Sequence, residues 1–298
     1  MKFQPEGVFV ALWTPTNGNG RLLRREFTTH VRFLLQHGVH GFMPLGSTGE
    51  FLHLTPQQRK ALLKKVVSLA GDRPVIANIS DIRPAVVADL GRFAREIGAS
   101  AVSVLPPYYY QLLQQDLVEF FVRAGAAAKL PLVLYNYPER TGNRIELDTI
   151  AAVADRVPLA AIKHSGSDFN YHVALVKLGK EKGFSVLTGA DTRLPEAMAL
   201  GATGCISGLA NAVPDLLVAV FAATRAKEEK RLRALVQQMS RVGTAVGAVP
   251  FPLNMAAAME ARDLPVGEPK QVVSPATRQR YAAMVEELRT RYREWKLI

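Results

Sequence analysis

Three short stretches of this chain carry residues whose types and spacing suit carbonyl chemistry. Lys163 ends the apolar run Val157-Pro158-Leu159-Ala160-Ala161-Ile162. A run without polar alternation is the pattern of a parallel strand buried on both faces, so an amine at its C-terminal end faces a largely dry interior. Desolvation disfavours the ammonium form of a lysine and frees the amine as a nucleophile toward a carbonyl carbon. The second stretch, Gly46-Ser47-Thr48-Gly49-Glu50, sets two hydroxyls between glycines that let backbone amides approach a ligand closely, the outline of an anion-binding nest. In the third, Tyr135-Asn136-Tyr137-Pro138-Glu139-Arg140-Thr141-Gly142, a phenol stands at a strand tip and a guanidinium in the loop that follows. A 2-keto acid joined to Lys163 needs a carboxylate clamp and a proton shuttle, and these two loops supply candidates for both.

Each residue also has a plainer reading. Lys163 can thread its charge out to solvent. Ser47 and Thr48 can cap a turn, Tyr135 can be a core aromatic, and Arg140 can be a surface charge. His164 reads as a hydrogen-bonded structural histidine rather than a base.

The elements that must position these groups follow from hydrophobic periodicity. Strands are predicted over residues 8–14, 41–45, 74–78, 101–105, 132–135, 157–163, 184–188 and 204–207. Helices are predicted over residues 24–37, 56–70, 84–97, 116–128, 146–154, 168–178, 195–200 and 214–224, with Thr55 capping the second and Gly38 ending the first. Eight consecutive strand-helix units fit a closed (β/α)8 TIM barrel better than an open sheet, and no Gly-x-Gly-x-x-Gly follows the first strand. The reading assigns residues 1–224 to a catalytic barrel. It assigns residues 225–298 to a helical C-terminal extension with helices over 227–246, 253–262 and 276–295 and no hinge between the two.

Composition narrows the function classes. The 298 residues are 48% hydrophobic, enough for one large core. The single cysteine, Cys205, excludes an intrachain disulfide and reads as a small buried hydrophobe. The six histidines lack the spacing of a zinc site, so neither a metal nor another cofactor is expected. No uninterrupted apolar segment follows Lys2 and Glu6, and a cytoplasmic enzyme without membrane contact is expected. The net charge of +11 invites nucleic acid, but the basic residues are interleaved with acids, as in Arg225-Ala226-Lys227-Glu228-Glu229-Lys230, and no binding motif accompanies them. A field that draws in small anions is the better reading.

The ordered series Gly-x-Thr-Gly-Glu (46–50), Pro-Tyr-Tyr (107–109), Tyr-Asn-x-Pro (135–138), Ile-Lys (162–163) and Gly-x-x-Gly-x-Ile-Ser (201–207) resembles the dihydrodipicolinate synthase/N-acetylneuraminate lyase family of class I aldolases, over essentially the whole chain. The resemblance implies a (β/α)8 barrel, usually a homotetramer, that forms a Schiff base with pyruvate or another 2-keto acid and needs no cofactor. It implies Lys163 as the Schiff-base residue, Tyr135 as the acid/base, and Ser47 and Thr48 as the carboxylate site, with Ser47 relaying protons to Tyr135. It further implies Tyr109 reaching into a neighbouring subunit, and the Ile206 carbonyl touching the keto acid. Arg140 matches the arginine that holds aspartate semialdehyde in the synthase branch. Three features depart from the synthase pattern: Ser47 in place of threonine, which the lyase branch shares, His164 in place of glutamate, and the loop 77–81 without its glycines. Tyr137 also resembles sugar-acid aldolases, and the alternatives are an N-acetylneuraminate lyase-like or 2-keto-3-deoxy sugar-acid aldolase, or a keto-acid dehydratase or deaminase using the same imine. Ile82 and Val86 stand where feedback lysine would be bound, so no lysine inhibition is expected. The expected partners are pyruvate, an aldehyde, and further copies of the chain as a dimer or tetramer.

Overall fold

The computed structural model describes residues 3–298. Met1 and Lys2, on which part of the reading of the N-terminus rests, lie outside the described residues. Each predicted apolar run is a strand: β1 (Gly7–Leu12), β2 (Gly41–Pro44), β3 (Ile76–Asn78), β4 (Ala101–Val104), β5 (Leu132–Asn136), β6 (Leu159–His164), β7 (Ser185–Thr188) and β8 (Gly204–Ser207). Every residue in them is buried, which is why their sequences do not alternate. The helices are α1 (Arg24–Gln36), α2 (Pro56–Leu69), α3 (Pro84–Glu96), α4 (Gln114–Ala128), α5 (Pro138–Thr141), α6 (Leu147–Ala154), α7 (Phe169–Lys182), α8 (Leu194–Leu200) and α9 (Pro214–Arg225), followed by α10 (Glu229–Ala245), α11 (Leu253–Glu260) and α12 (Pro275–Glu294). Among the described residues no helix is long and apolar enough to cross a membrane.

All strand pairs are parallel, in the order β2-β1-β8-β7-β6-β5-β4-β3. The two ends of this sheet meet through one bridge between Phe42 and Val75, beside which the Phe42 amide donates to the Pro74 carbonyl at 3.0 Å. The sheet thereby closes into a (β/α)8 barrel. The seam is completed by side chains. The Asn78 amide group donates to the Leu45 carbonyl, the Ser80 hydroxyl donates to Asn78 Oδ1 at 2.5 Å, and the Leu105 amide donates to Ser80 Oγ at 2.8 Å. This buried chain of bonds ties the C-terminal ends of β2, β3 and β4 together.

Local sequence explains most element ends. Thr55 accepts from the Gln58 amide at 3.2 Å while Gln58 Oε1 accepts from the Thr55 amide at 2.8 Å, a capping box ahead of Pro56. The largest difference from the periodicity is in α7, which runs on to Lys182. The apolar pattern fades after Leu178, but the helix stops only where Gly183 takes φ 73°, a left-handed C-cap. α5 was not foreseen, being a single turn inside a loop. Cys205 is free and fully buried, and burial raises its thiol pKa.

Replacing Asn78 by Ala leaves the Leu45 carbonyl without its partner at the seam, and an unmet buried acceptor costs ~1–3 kcal/mol. Asn78→Ala is therefore expected to lower the unfolding free energy by that order and to speed hydrogen exchange at the amides of Gly41, Phe42 and Met43. Unchanged exchange there would show that the bridge alone holds the seam.

Candidate active site

Tyr135 and Lys163 are neighbours in the β5–β6 register, both pointing into the barrel mouth, and the Lys163 Nζ lies 4.2 Å from the centroid of the Tyr135 ring. Both side chains are buried. No carboxylate stands within 4.0 Å of that ammonium group among the described residues. Strand alternation sends the next residue, His164, the other way. Its ring packs on Tyr171 of α7, Nδ1 accepts from Asn136 at 3.5 Å and Nε2 donates to the Asp168 carbonyl at 3.2 Å. Burial lowers its pKa, and it is a structural histidine, as its sequence context suggested.

Ser47 reaches this pair from the opposite side of the mouth, its Oγ 3.4 Å from the Tyr135 hydroxyl. The loop that carries it is bracketed by two non-glycine residues in the left-handed region, Leu45 (φ 62°) and Glu50 (φ 53°), so its backbone is held against local preference. A Cβ on Gly49 would stand 2.8 Å from the Leu12 carbonyl, so the missing side chain lets the loop press onto β1. Thr48 is buried and turns toward the loop after β8, where its Oγ1 lies 3.0 Å from the position of a Cβ on Gly208. That loop follows Ile206, buried in β8 beside Phe9. Ser47, Tyr135 and Lys163 are thus brought together, with Thr48 and Ile206 on the adjoining β1–β8 side.

Arg140 and Tyr109 are not drawn into this cluster. Arg140 is exposed on α5, with its guanidinium carbon 5.6 Å from the Phe251 ring centroid and no ion pair among the described residues. Its neighbour Glu139 accepts from the amide and hydroxyl of Ser167 at 2.7 and 2.9 Å; burial opposes ionisation of this carboxyl, but the two donors hold its pKa below the usual value. The β5 and β6 loops are thereby clamped to each other. Tyr109 is 85% exposed, has φ 83°, and meets Tyr110 edge to face at 4.9 Å. Asn143 fixes this segment by donating to the Pro107 and Tyr110 carbonyls.

One residue of the site escaped the sequence reading. Asp191 follows β7, and its Oδ1 is sealed and unpartnered while Oδ2 accepts from the Leu209 amide at 3.1 Å. The residue keeps some surface contact, but Oδ1 is out of reach of solvent. Burial raises its pKa to about 6, against the opposing effects of the Leu209 amide, the Ser207 hydroxyl and the Lys163 charge. The rule that reactive groups cluster at strand C-terminal ends, applied to Gly189-Ala190-Asp191 after β7, would have found it. The mouth therefore combines an amine, a phenol touching a hydroxyl, and a carboxyl group that sits between its neutral and charged forms near neutrality. Such a set can add to a carbonyl and move protons.

The model of the dihydrodipicolinate synthetase family matches residues 4–291. The 4-hydroxy-tetrahydrodipicolinate synthase of Haloarcula marismortui is 30% identical over 272 residues, 91% of this chain and 88% of its own length. Among solved structures, a dihydrodipicolinate synthase from Bacillus anthracis matches with a TM-score of 0.89 at 28% identity, over 97% of this chain and 98% of that one. The 2-keto 3-deoxygluconate aldolase from Picrophilus torridus matches with a TM-score of 0.84 at 23% identity, over 90% and 98%, a likeness of fold alone.

Asp191 makes stability depend on pH. Its carboxyl is protonated in folded and unfolded chains below about pH 4 and ionised in both above about pH 6, so the burial penalty is absent at low pH and complete at high pH. A rise from 3.8 to about 6 corresponds to ~3 kcal/mol. Asp191→Asn is expected to stabilise the chain at pH 8 by up to that amount and to leave it unchanged at pH 4, as read by urea unfolding. An equal effect at both pH values would place the carboxyl in a wetter setting.

Proposed function

The chain belongs to the dihydrodipicolinate synthetase family of aldolase-type lyases, and from that premise we propose that it forms a Schiff base between Lys163 and pyruvate and joins the resulting enamine to aspartate semialdehyde. The observation that carries this reading is the buried Lys163 amine set 4.2 Å over the Tyr135 ring, with the Tyr135 hydroxyl in contact with Ser47.

In this scheme Ser47 and Thr48 hold the keto-acid carboxylate, and the Ile206 carbonyl touches the bound acid. The Lys163 nitrogen adds to the ketone carbon, whose oxygen leaves as water after protonation through Tyr135 and Ser47. The iminium then draws electrons from the methyl carbon, which gives up a proton to form the enamine. The enamine carbon attacks the aldehyde, the new alkoxide takes a proton, and water hydrolyses the regenerated iminium to release product and free amine. Arg140, with no ion pair among the described residues, is assigned to the semialdehyde carboxylate, for which a guanidinium offers bidentate geometry. Tyr109, Tyr110 and Leu113 expose apolar surface beside this mouth, which supports a homo-oligomer, dimer or tetramer, whose interface covers them and lends Tyr109 to a neighbouring site.

A second reading has its own observation. The unpartnered Oδ1 of Asp191 near Lys163 suits a substrate hydroxyl, which a 2-keto-3-deoxy sugar acid carries. Under it the same imine works in the cleavage direction.

Borohydride reduction with pyruvate is expected to add the mass of a lactyl group to the peptide containing Lys163, and Lys163→Ala to abolish the labelling. Tyr135→Phe should still bind pyruvate while losing about a hundredfold in turnover. Labelling that persists in Lys163→Ala would overturn the assignment of the nucleophile.

Arg140→Ala is expected to raise KM for aspartate semialdehyde by about tenfold or more, the loss of one bidentate charged contact, and to leave KM for pyruvate unchanged. If the wild-type chain ignores the semialdehyde and cleaves a 2-keto-3-deoxy sugar acid, the second reading replaces the first.

A further inference from the structure

The Ser47–Thr48 loop is gripped from outside the barrel. Glu50, two residues beyond Thr48, lies in left-handed backbone, and its amide donates to the Ser47 carbonyl at 3.1 Å, so residues 47–50 form one compact turn. Its carboxylate meets the Lys270 ammonium at 2.6 Å, with side chains only 4% and 3% exposed. Lys270 belongs to the connection between α11 and α12. Its Nζ also donates to the Thr14 carbonyl at 2.8 Å and stands 5.2 Å from the Trp13 ring centroid. The connection is itself fixed to the end of β1. The Trp13 indole donates to the Val266 carbonyl at 2.8 Å, and the Glu268 amide donates to the Thr16 carbonyl at 2.7 Å. The ammonium thus sits on a rigid mount with directed acceptors, and it holds the strained end of the loop.

A buried ion pair is a weak device for stability, because desolvation of both charges offsets much of their attraction, but it fixes distance and direction as apolar contact does not. None of the reacting groups touches this pair. We propose that Lys270, acting through Glu50, is a positioning residue that sets the Ser47 and Thr48 hydroxyls at the spacing a keto-acid carboxylate requires, so that the connection between the last two helices governs substrate affinity. This rests on the reading of Ser47 and Thr48 as the carboxylate site.

The test compares wild type, Lys270→Met and the double variant Glu50→Gln/Lys270→Met, which removes both charges and leaves no unpaired ion if the single variant folds poorly. Arg262→Met is the control. Arg262, just after α11, has a buried side chain that pairs with Asp215 of α9 at 2.9 Å. Pyruvate is titrated against borohydride trapping at Lys163, and KM for the aldehyde substrate is measured beside it. In folded Lys270 variants the half-saturating pyruvate concentration is expected to rise about tenfold or more, with trapping at saturation and aldehyde KM within about twofold of wild type. Arg262→Met should lower the melting temperature without moving half-saturation. Unchanged half-saturation in folded Lys270 variants, or an equal rise in Arg262→Met, overturns the proposal while the Schiff-base reading stands. Failure of wild type to trap pyruvate overturns both.

Discussion

A parallel strand buried on both faces can carry polar chemistry only at its ends, and this constraint organises the molecule. No residue of the eight strands is exposed, so every reactive side chain of the mouth stands on the last strand residues or in the loop just beyond. Lys163 and Tyr135 each occupy the last position but one, of β6 and β5 respectively, and parallel register makes them neighbours. Ser47 and Asp191 come from the loops after β2 and β7. Closure of the barrel is what brings β2 round to face β5. With the sheet open at the seam between β2 and β3, the contact of Ser47 with Tyr135 would have no support.

The buried charges divide into two kinds. Arg59 with Asp81, Lys270 with Glu50 and Arg262 with Asp215 are paired, and each also donates to a backbone carbonyl, of Ser80, Thr14 and Ala212 respectively. These pairs hold chain segments outside the strands. Lys163 is different in kind: it rests against an aromatic ring, with a carboxyl group near enough to feel its charge but not to form an ion pair. A fully paired ammonium is committed to its partner, whereas the Lys163 nitrogen has no ion pair among the described residues. Pairs such as Arg193 with Glu196, Arg231 with Glu228 and Arg291 with Glu287 are exposed and contribute little individually.

Strain gathers where the mouth is built. Leu45 and Glu50 bracket the hydroxyl loop in left-handed backbone, and Tyr109 adopts it at the exposed aromatic segment. Such conformations persist only when their surroundings over-determine them. Asn78 holds the Leu45 carbonyl from β3, Lys270 holds the Glu50 carboxylate, and Thr141 accepts from the Tyr109 amide at 3.3 Å. The loop is thus fixed at one end by the barrel and at the other by the C-terminal segment.

The sequence alone determined the repeat of eight strands and helices, because fully buried strands and amphipathic helices leave different apolar periods. It also determined the strand-end positions of Lys163 and Tyr135 and the loop position of Ser47, since turn-forming residues mark where each strand stops. Most helix ends were legible for the same reason, as at the Thr55 capping box. Only the tertiary structure decided the rest. The strand-end position of Asp191 was legible, but the burial that raises its pKa was not, and Lys270 gave no local sign of meeting a glutamate 220 positions away. The contact of Gly49 with β1 and the exposed place of Arg140 beside Phe251 are likewise visible only in the fold. Local patterns record what each residue does to its own few neighbours in the chain, whereas desolvation, ion pairing and close approach depend on partners that only the closed barrel brings within reach.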